Sequence, residues 1–143
     1  ARHFEKIIGI KEASGNLDQV GLILNHRPKD FRVLGGDDAL TLQIMAMGGD
    51  GVISVVVNGL PEEFSKLVHA AMKGDFATAS REHLKLIELI TLLFVEGNPG
   101  GIKEVLKTLG LCDNHLRLPL VPVSEGTARK IYHALADAEV VKL

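Results

Sequence analysis

Cysteine is almost missing from this chain. Cys112 is the single one among 143 residues, so no intrachain disulfide can form, and a reducing, cytoplasmic setting is expected. No signature places a histidine to activate that thiol, so Cys112 reads as structural or incidental. A basic excess is missing too. The formal net charge is -2 and the pI is near 6.3, which argues against a nucleic-acid or anionic-membrane footprint. Long apolar runs are absent: the longest, LIELITLLFV at 86–95, is interrupted by Glu88 and is too short to span a bilayer. The opening ARHFEK has no long apolar core behind it, so no signal peptide is expected. There is no low-complexity segment, no GxGxxG or GxxxxGK[ST] for nucleotide phosphates, and no GxSxG around Ser54. The six histidines are scattered, and none shares a helix face with Cys, Asp or Glu at a ligand-like spacing, so no metal is assigned. A soluble, mildly acidic protein is the expectation.

What is present is a rhythm. KIIGIKEA, DFRVLGGD and GVISVVVN are short Val- and Ile-rich runs without period-two alternation, as parallel strands buried on both faces require. Helical patterns separate them. NLDQVGLILNHRP aligns Leu17, Val20, Ile23 and Leu24, with Asn16 as a cap and Pro28 as a stop. DALTLQIMAMGG offers Asp38 as a cap and Gly48 as a stop, and PEEFSKLVHAAMKG begins with Pro61 and ends at Gly74. Three strand–helix units in series imply parallel strands with right-handed crossovers. After Gly74 only helices follow: a long one over 75–97, a shorter one capped by Asn98 with Pro99 in its first turn, and a last one capped by Ser124. Residues 1–73 therefore read as α/β and 74–143 as a helical region. Three strands are few for a covered sheet and fewer than the eight of a barrel, so the chain reads as the end of something larger.

The sharpest feature is the lysine in IIGIKEASGN. Gly9, Lys11 and Ala13 share one strand face, with Ile8 and Ile10 on the other. Apolar surroundings disfavour an ammonium and leave a nucleophilic amine, which is what Schiff-base chemistry needs. The alternative is a lysine paired with Glu12 or Asp37, or snorkelling to solvent; from the pattern alone that is the stronger reading. LGGDDAL at 34–40 lets backbone amides approach a ligand, or is simply a tight turn in which Asp38 caps a helix.

Taken in order, IIGIKEASGN, LGGDDAL, GGDGVISV, GDFATA, LFVEGNP and LRLPLVP resemble dihydrodipicolinate synthases, members of the pyruvate-dependent class I aldolases. The resemblance covers nearly the whole chain and corresponds to the C-terminal half of that family's enzymes. It implies the C-terminal part of a (β/α)₈ TIM barrel, strands six to eight, followed by C-terminal helices, in a cytoplasmic homotetramer of lysine biosynthesis. It also implies a catalytic Lys11 that forms the Schiff base with pyruvate. Gly36 and Asp37 would lie next to bound substrate, and the Ile53 carbonyl beside the adduct. The substrates implied are pyruvate and aspartate semialdehyde, with no cofactor beyond the covalent imine, no metal, no nucleic acid and no membrane. The family's threonine pair, relay tyrosine, carboxylate-binding arginine and allosteric lysine site belong to its N-terminal half, outside this stretch, and Tyr132 matches none of them. Gly100 and Gly101 stand where many relatives carry an apolar residue and a proline. Two other readings remain: a pyruvate aldolase like N-acetylneuraminate lyase, and a non-catalytic fragment or assembly module. With three unclosed strands the chain alone is expected to be an oligomer or partly disordered.

Overall fold

The structure is a computed structural model that describes residues 4–141. Strands β1 (Gly9–Glu12), β2 (Arg32–Gly35) and β3 (Gly51–Val52) alternate with helices α1 (Leu17–His26) and α2 (Thr41–Ala46), and α3 (Pro61–Met72), α4 (Phe76–Leu92), α5 (Gly100–Thr108) and α6 (Glu125–Asp137) follow. The three strands form one sheet in the order β1-β2-β3 with both pairings parallel, as the repeated strand–helix pattern predicts.

Contacts divide the chain into two compact units. The first holds the residues up to Ser54 together with Ser65–Arg81. Its register runs Lys11 beside Leu34 beside Gly51, then Glu12 beside Gly35 beside Val52. Paired residues of parallel strands share a face, so the sheet has two distinct sides. Val33 and Glu12 are buried on the helix side, where a Cβ on Gly35 would lie 3.2 Å from Ile44 Cδ1 of α2. Val20 of α1 and Ile44 are also buried, and Met45, Ala70, Ala71 and Ala79 form an apolar cluster. The other side carries Lys11 and is open among the described residues. Burial on both faces, expected from the apolar runs, is thus not met here: Lys11, Ala13 and Ile53 are exposed on this side, and Ile8 and Ile10 are exposed on the other, where β1 pairs on one edge only among the described residues.

The second unit comprises Val55–Phe64 and the residues from Glu82 onward. Its buried side chains include Val56, Leu60, Leu86, Leu89, Ile90, Leu93, Ile102, Val105, Ile131 and Leu135. Glu96 ties the connector to α6, accepting from the Ser124 amide (2.9 Å), the Ser124 hydroxyl (2.6 Å) and the Thr127 hydroxyl. Ser124 in turn caps α6 by accepting from the Thr127 amide, as expected.

Three local expectations are corrected. The third strand stops at Val52, and Val56–Asn58 turns instead into a 3-10 helix. The cap after β2 is Asp37, whose Oδ1 accepts from the Ala39 amide at 2.9 Å, while Asp38 is buried inside the 3-10 turn Asp38–Leu40. A side chain at the first of two adjacent acids reaches the free amides that the second has already passed. At α5 the cap position falls on Pro99, with no side-chain bond from Asn98. Among the described residues no helix is long and apolar enough to cross a membrane.

Candidate active site

Lys11 is the third residue of β1, one step from the strand's C-terminal end. Alternation along the strand puts it opposite Glu12. That separation decides the question of pairing. The Glu12 carboxylate is 4% exposed and turns to the helix side, where Oε1 accepts from Gln19 Nε2 of α1 (2.9 Å) and from the Ser14 amide (3.1 Å). Lys11 makes no ion pair with Glu12 or Asp37 and has an exposed side chain. The apolar frame expected around the lysine is therefore not formed by the described residues.

The loops after the three strands meet at the same end of the sheet. Gly36 follows β2, and its amide donates to the Glu12 carbonyl at 2.7 Å. Ile53 follows β3, and its amide donates to the Gly35 carbonyl at 2.8 Å. These two bonds continue the ladder by one row, so Ala13, Gly36 and Ile53 line up beyond Glu12, Gly35 and Val52, on the face that carries Lys11. Ile53 is 46% exposed there. Asp37 is the outlier of the four residues singled out from sequence. It sits at the same end, but its carboxylate is spent on the Ala39 amide, and the Thr41 hydroxyl donates to its carbonyl at 3.2 Å. The structure thus brings Lys11, Gly36 and Ile53 onto one face, with Asp37 as the cap beside them.

Sequence reasoning passed over two supports of this site. Glu12 anchors the strand end to α1, and strict strand alternation would have separated it from Lys11. Asp50 anchors the other end of the sheet through Arg27, Arg32 and the Val33 amide; nothing short-range in the sequence announces a contact that spans 23 residues. A groove in the second unit, lined by Glu88, Thr91, Lys130, His133 and Asp137, includes none of the candidate residues. No group of three or more His, Cys, Asp or Glu side chains suited to a metal occurs among the described residues.

An exposed lysine at the C-terminal end of a parallel strand, flanked by the next two strand-to-helix loops, has the placement of a barrel active-site residue. The comparisons with known proteins agree with that architecture. The 4-hydroxy-tetrahydrodipicolinate synthase of Azobacteroides pseudotrichonymphae genomovar. CFP2 is 50% identical over 135 residues, 94% of this chain and 46% of the relative. That of Phocaeicola vulgatus is 46% identical over 140 residues, 98% of this chain and 47% of the relative. Among solved structures, dihydrodipicolinate synthase from Aquifex aeolicus superposes with a TM-score of 0.93 at 38% identity, over 99% of this chain and 49% of that one. The Thermotoga maritima synthase gives 0.90 at 37%, over 94% and 46%. The chain spans about half the length of these relatives, and the described residues, with three parallel strands and six helices, form a partial TIM barrel. The model of the dihydrodipicolinate synthetase family matches residues 2–138, and this chain belongs to that family.

Proposed function

We propose that this chain is the C-terminal half of a pyruvate-condensing barrel enzyme, with Lys11 as its Schiff-base nucleophile. In this reading residues 1–73 supply barrel strands six to eight, and 74–143 the helical region that follows them. The Lys11 amine adds to the ketone of pyruvate, and loss of water gives an imine. The protonated imine withdraws electrons from the neighbouring methyl carbon, which loses a proton to give an enamine. That carbon attacks the aldehyde of aspartate semialdehyde. The amine of the second substrate then attacks the imine carbon and expels Lys11, so one water is lost overall and 4-hydroxy-tetrahydrodipicolinate is formed. Gly36 and Asp37 border the bound substrate, and the Ile53 carbonyl faces the adduct. No metal or separate cofactor takes part. The setting is lysine biosynthesis in the cytoplasm, and the assembly is a homotetramer.

One observation carries the reading: in a chain of this family, a lysine that makes no ion pair among the described residues stands at the strand end on the sheet's open face, beside Gly36. The test is reductive trapping. Full-length protein incubated with pyruvate and borohydride is expected to give a reduced pyruvyl adduct on the peptide holding Lys11, and Lys11→Ala is expected to give none. Folded wild-type protein that acquires no adduct refutes the imine. Adding aspartate semialdehyde and following ring formation then tests the second substrate against other aldehydes.

The strand edges favour a second element of this reading. β1 and β3 each pair only with β2 among the described residues, and open edges call for further strands. The complementary strands of the barrel are the partner inferred.

A further inference from the structure

We propose that Gly36 is a positioning residue for Lys11: its bare Cα is the seat across which the lysine stem lies, and this fixes where the amine meets its carbonyl. The proposal rests on the imine reading above. A Cβ built on Gly36 would fall 2.7 Å from Lys11 Cε, 2.6 Å from the Ala13 Cβ and 3.1 Å from the Glu12 carbonyl oxygen. Gly36 does not need to be glycine for its backbone, since its φ lies outside the left-handed region that Gly15 and Gly48 occupy. Space is the requirement. Nor can the Gly36 backbone retreat easily, because its amide is held by the Glu12 carbonyl at 2.7 Å.

The two close contacts have different consequences. The Ala13 methyl sits on the backbone and cannot rotate away, so a side chain at 36 costs packing there. Lys11 Cε is near the end of a four-carbon flexible stem. It swings aside at little cost, but Nζ moves with it. Misplacement of a reacting atom by about 1 Å can cost on the order of a hundredfold in rate. A methyl at 36 therefore leaves the lysine present and chemically intact, yet out of place.

Removing the Ala13 methyl separates these effects. In full-length protein, Ala13→Gly is expected to trap pyruvate within about twofold of wild type. Gly36→Ala is expected to lower Tm and to slow borohydride trapping at Lys11 by about tenfold or more, measured on folded protein well below its transition. In the double variant A13G/G36A, Tm is expected to recover while trapping stays slow. The loss is expected in the maximal trapping rate more than in the half-saturating pyruvate concentration. Recovery of trapping together with Tm overturns the proposal, because Gly36 would then serve packing alone. A double variant that stays unfolded also overturns it, since the packing cost would not lie at Ala13. Wild-type protein that traps nothing refutes the imine reading itself, a different outcome from wild-type-like trapping by Gly36→Ala.

Discussion

At Asp50 donors from two segments converge on one carboxylate. Arg27 Nη1 donates to Oδ2, Arg32 Nη1 to Oδ1 at 2.8 Å and the Val33 amide to Oδ2 at 2.9 Å, while Arg27 Nη2 reaches the Gly48 carbonyl at 3.1 Å. Burial by itself would raise the Asp50 pKa; the hydrogen bonds from Val33, Arg32 and Arg27 outweigh it and hold the group below its ordinary 3.8. A depressed carboxylate contributes stability above its unfolded pKa and loses it as pH falls through the folded one. Asp50→Ala is expected to cost about 2–4 kcal/mol in denaturant unfolding, because the Val33 amide and a partly buried guanidinium lose their acceptor. The variant should also lose part of the acid limb of the stability curve below pH 3.8. His83 has the opposite chemistry. Burial in α4 pushes its pKa below the ordinary 6.5, and Nδ1 finds no hydrogen-bond partner among the described residues. The folded chain keeps the ring neutral while the unfolded chain takes a proton, so stability is full above 6.5 and falls as pH drops. Replacing His83 with Leu is expected to flatten the change in Tm between about pH 7 and pH 5.

Helices were legible in the sequence wherever a short-range signal closed them. Asn16 accepts from the Asp18 and Gln19 amides at 2.9 and 3.2 Å, as its place before Leu17 implies, and α3 begins at Pro61. Strand lengths were less legible. The runs KIIGIKEA, DFRVLGGD and GVISVVVN contain the right residues, but a strand persists only as far as its neighbour stays in register, and composition does not carry that. The start of α5 is the instructive miss. Asn98 looked like its cap, yet this chain segment is held by a distant partner, Glu96 on Ser124 and Thr127. The pair Gly100–Gly101, a departure from many relatives, has a packing reason: a Cβ on Gly101 would lie 2.4 Å from the Leu93 carbonyl oxygen and 2.5 Å from Leu93 Cα. Backbone cannot yield as a side chain can. Gly101→Ala is therefore expected to cost about 1–3 kcal/mol or more, despite alanine's better helix propensity. Calorimetry on Gly101→Ala beside Gly126→Ala, where the nearest atom is the Ser124 hydroxyl at 3.8 Å, separates the clash from the propensity.

For the molecule as a whole, the decisive fact is a three-stranded parallel sheet whose Lys11 face and two edges are uncovered by the described residues. Parallel sheets are ordinarily covered on both faces, and a barrel of this family's kind closes its edges completely. Lys11 was visible in the sequence because the motif around it is local; the apolar frame that the pattern also suggested is not formed by the described residues, which leave its side chain exposed. Stability and chemistry should therefore respond to the same addition. Alone, the 143-residue chain is expected to self-associate through β1 and β3, giving sedimentation coefficients that rise with concentration and a broad thermal transition. Supplying a polypeptide with the complementary half of a relative's barrel should convert it to a defined complex with a sharp transition. Trapping of pyruvate at Lys11 should increase in step. A monodisperse monomer of the isolated chain that melts cooperatively and is unchanged by the added half would show that the edges do not drive assembly.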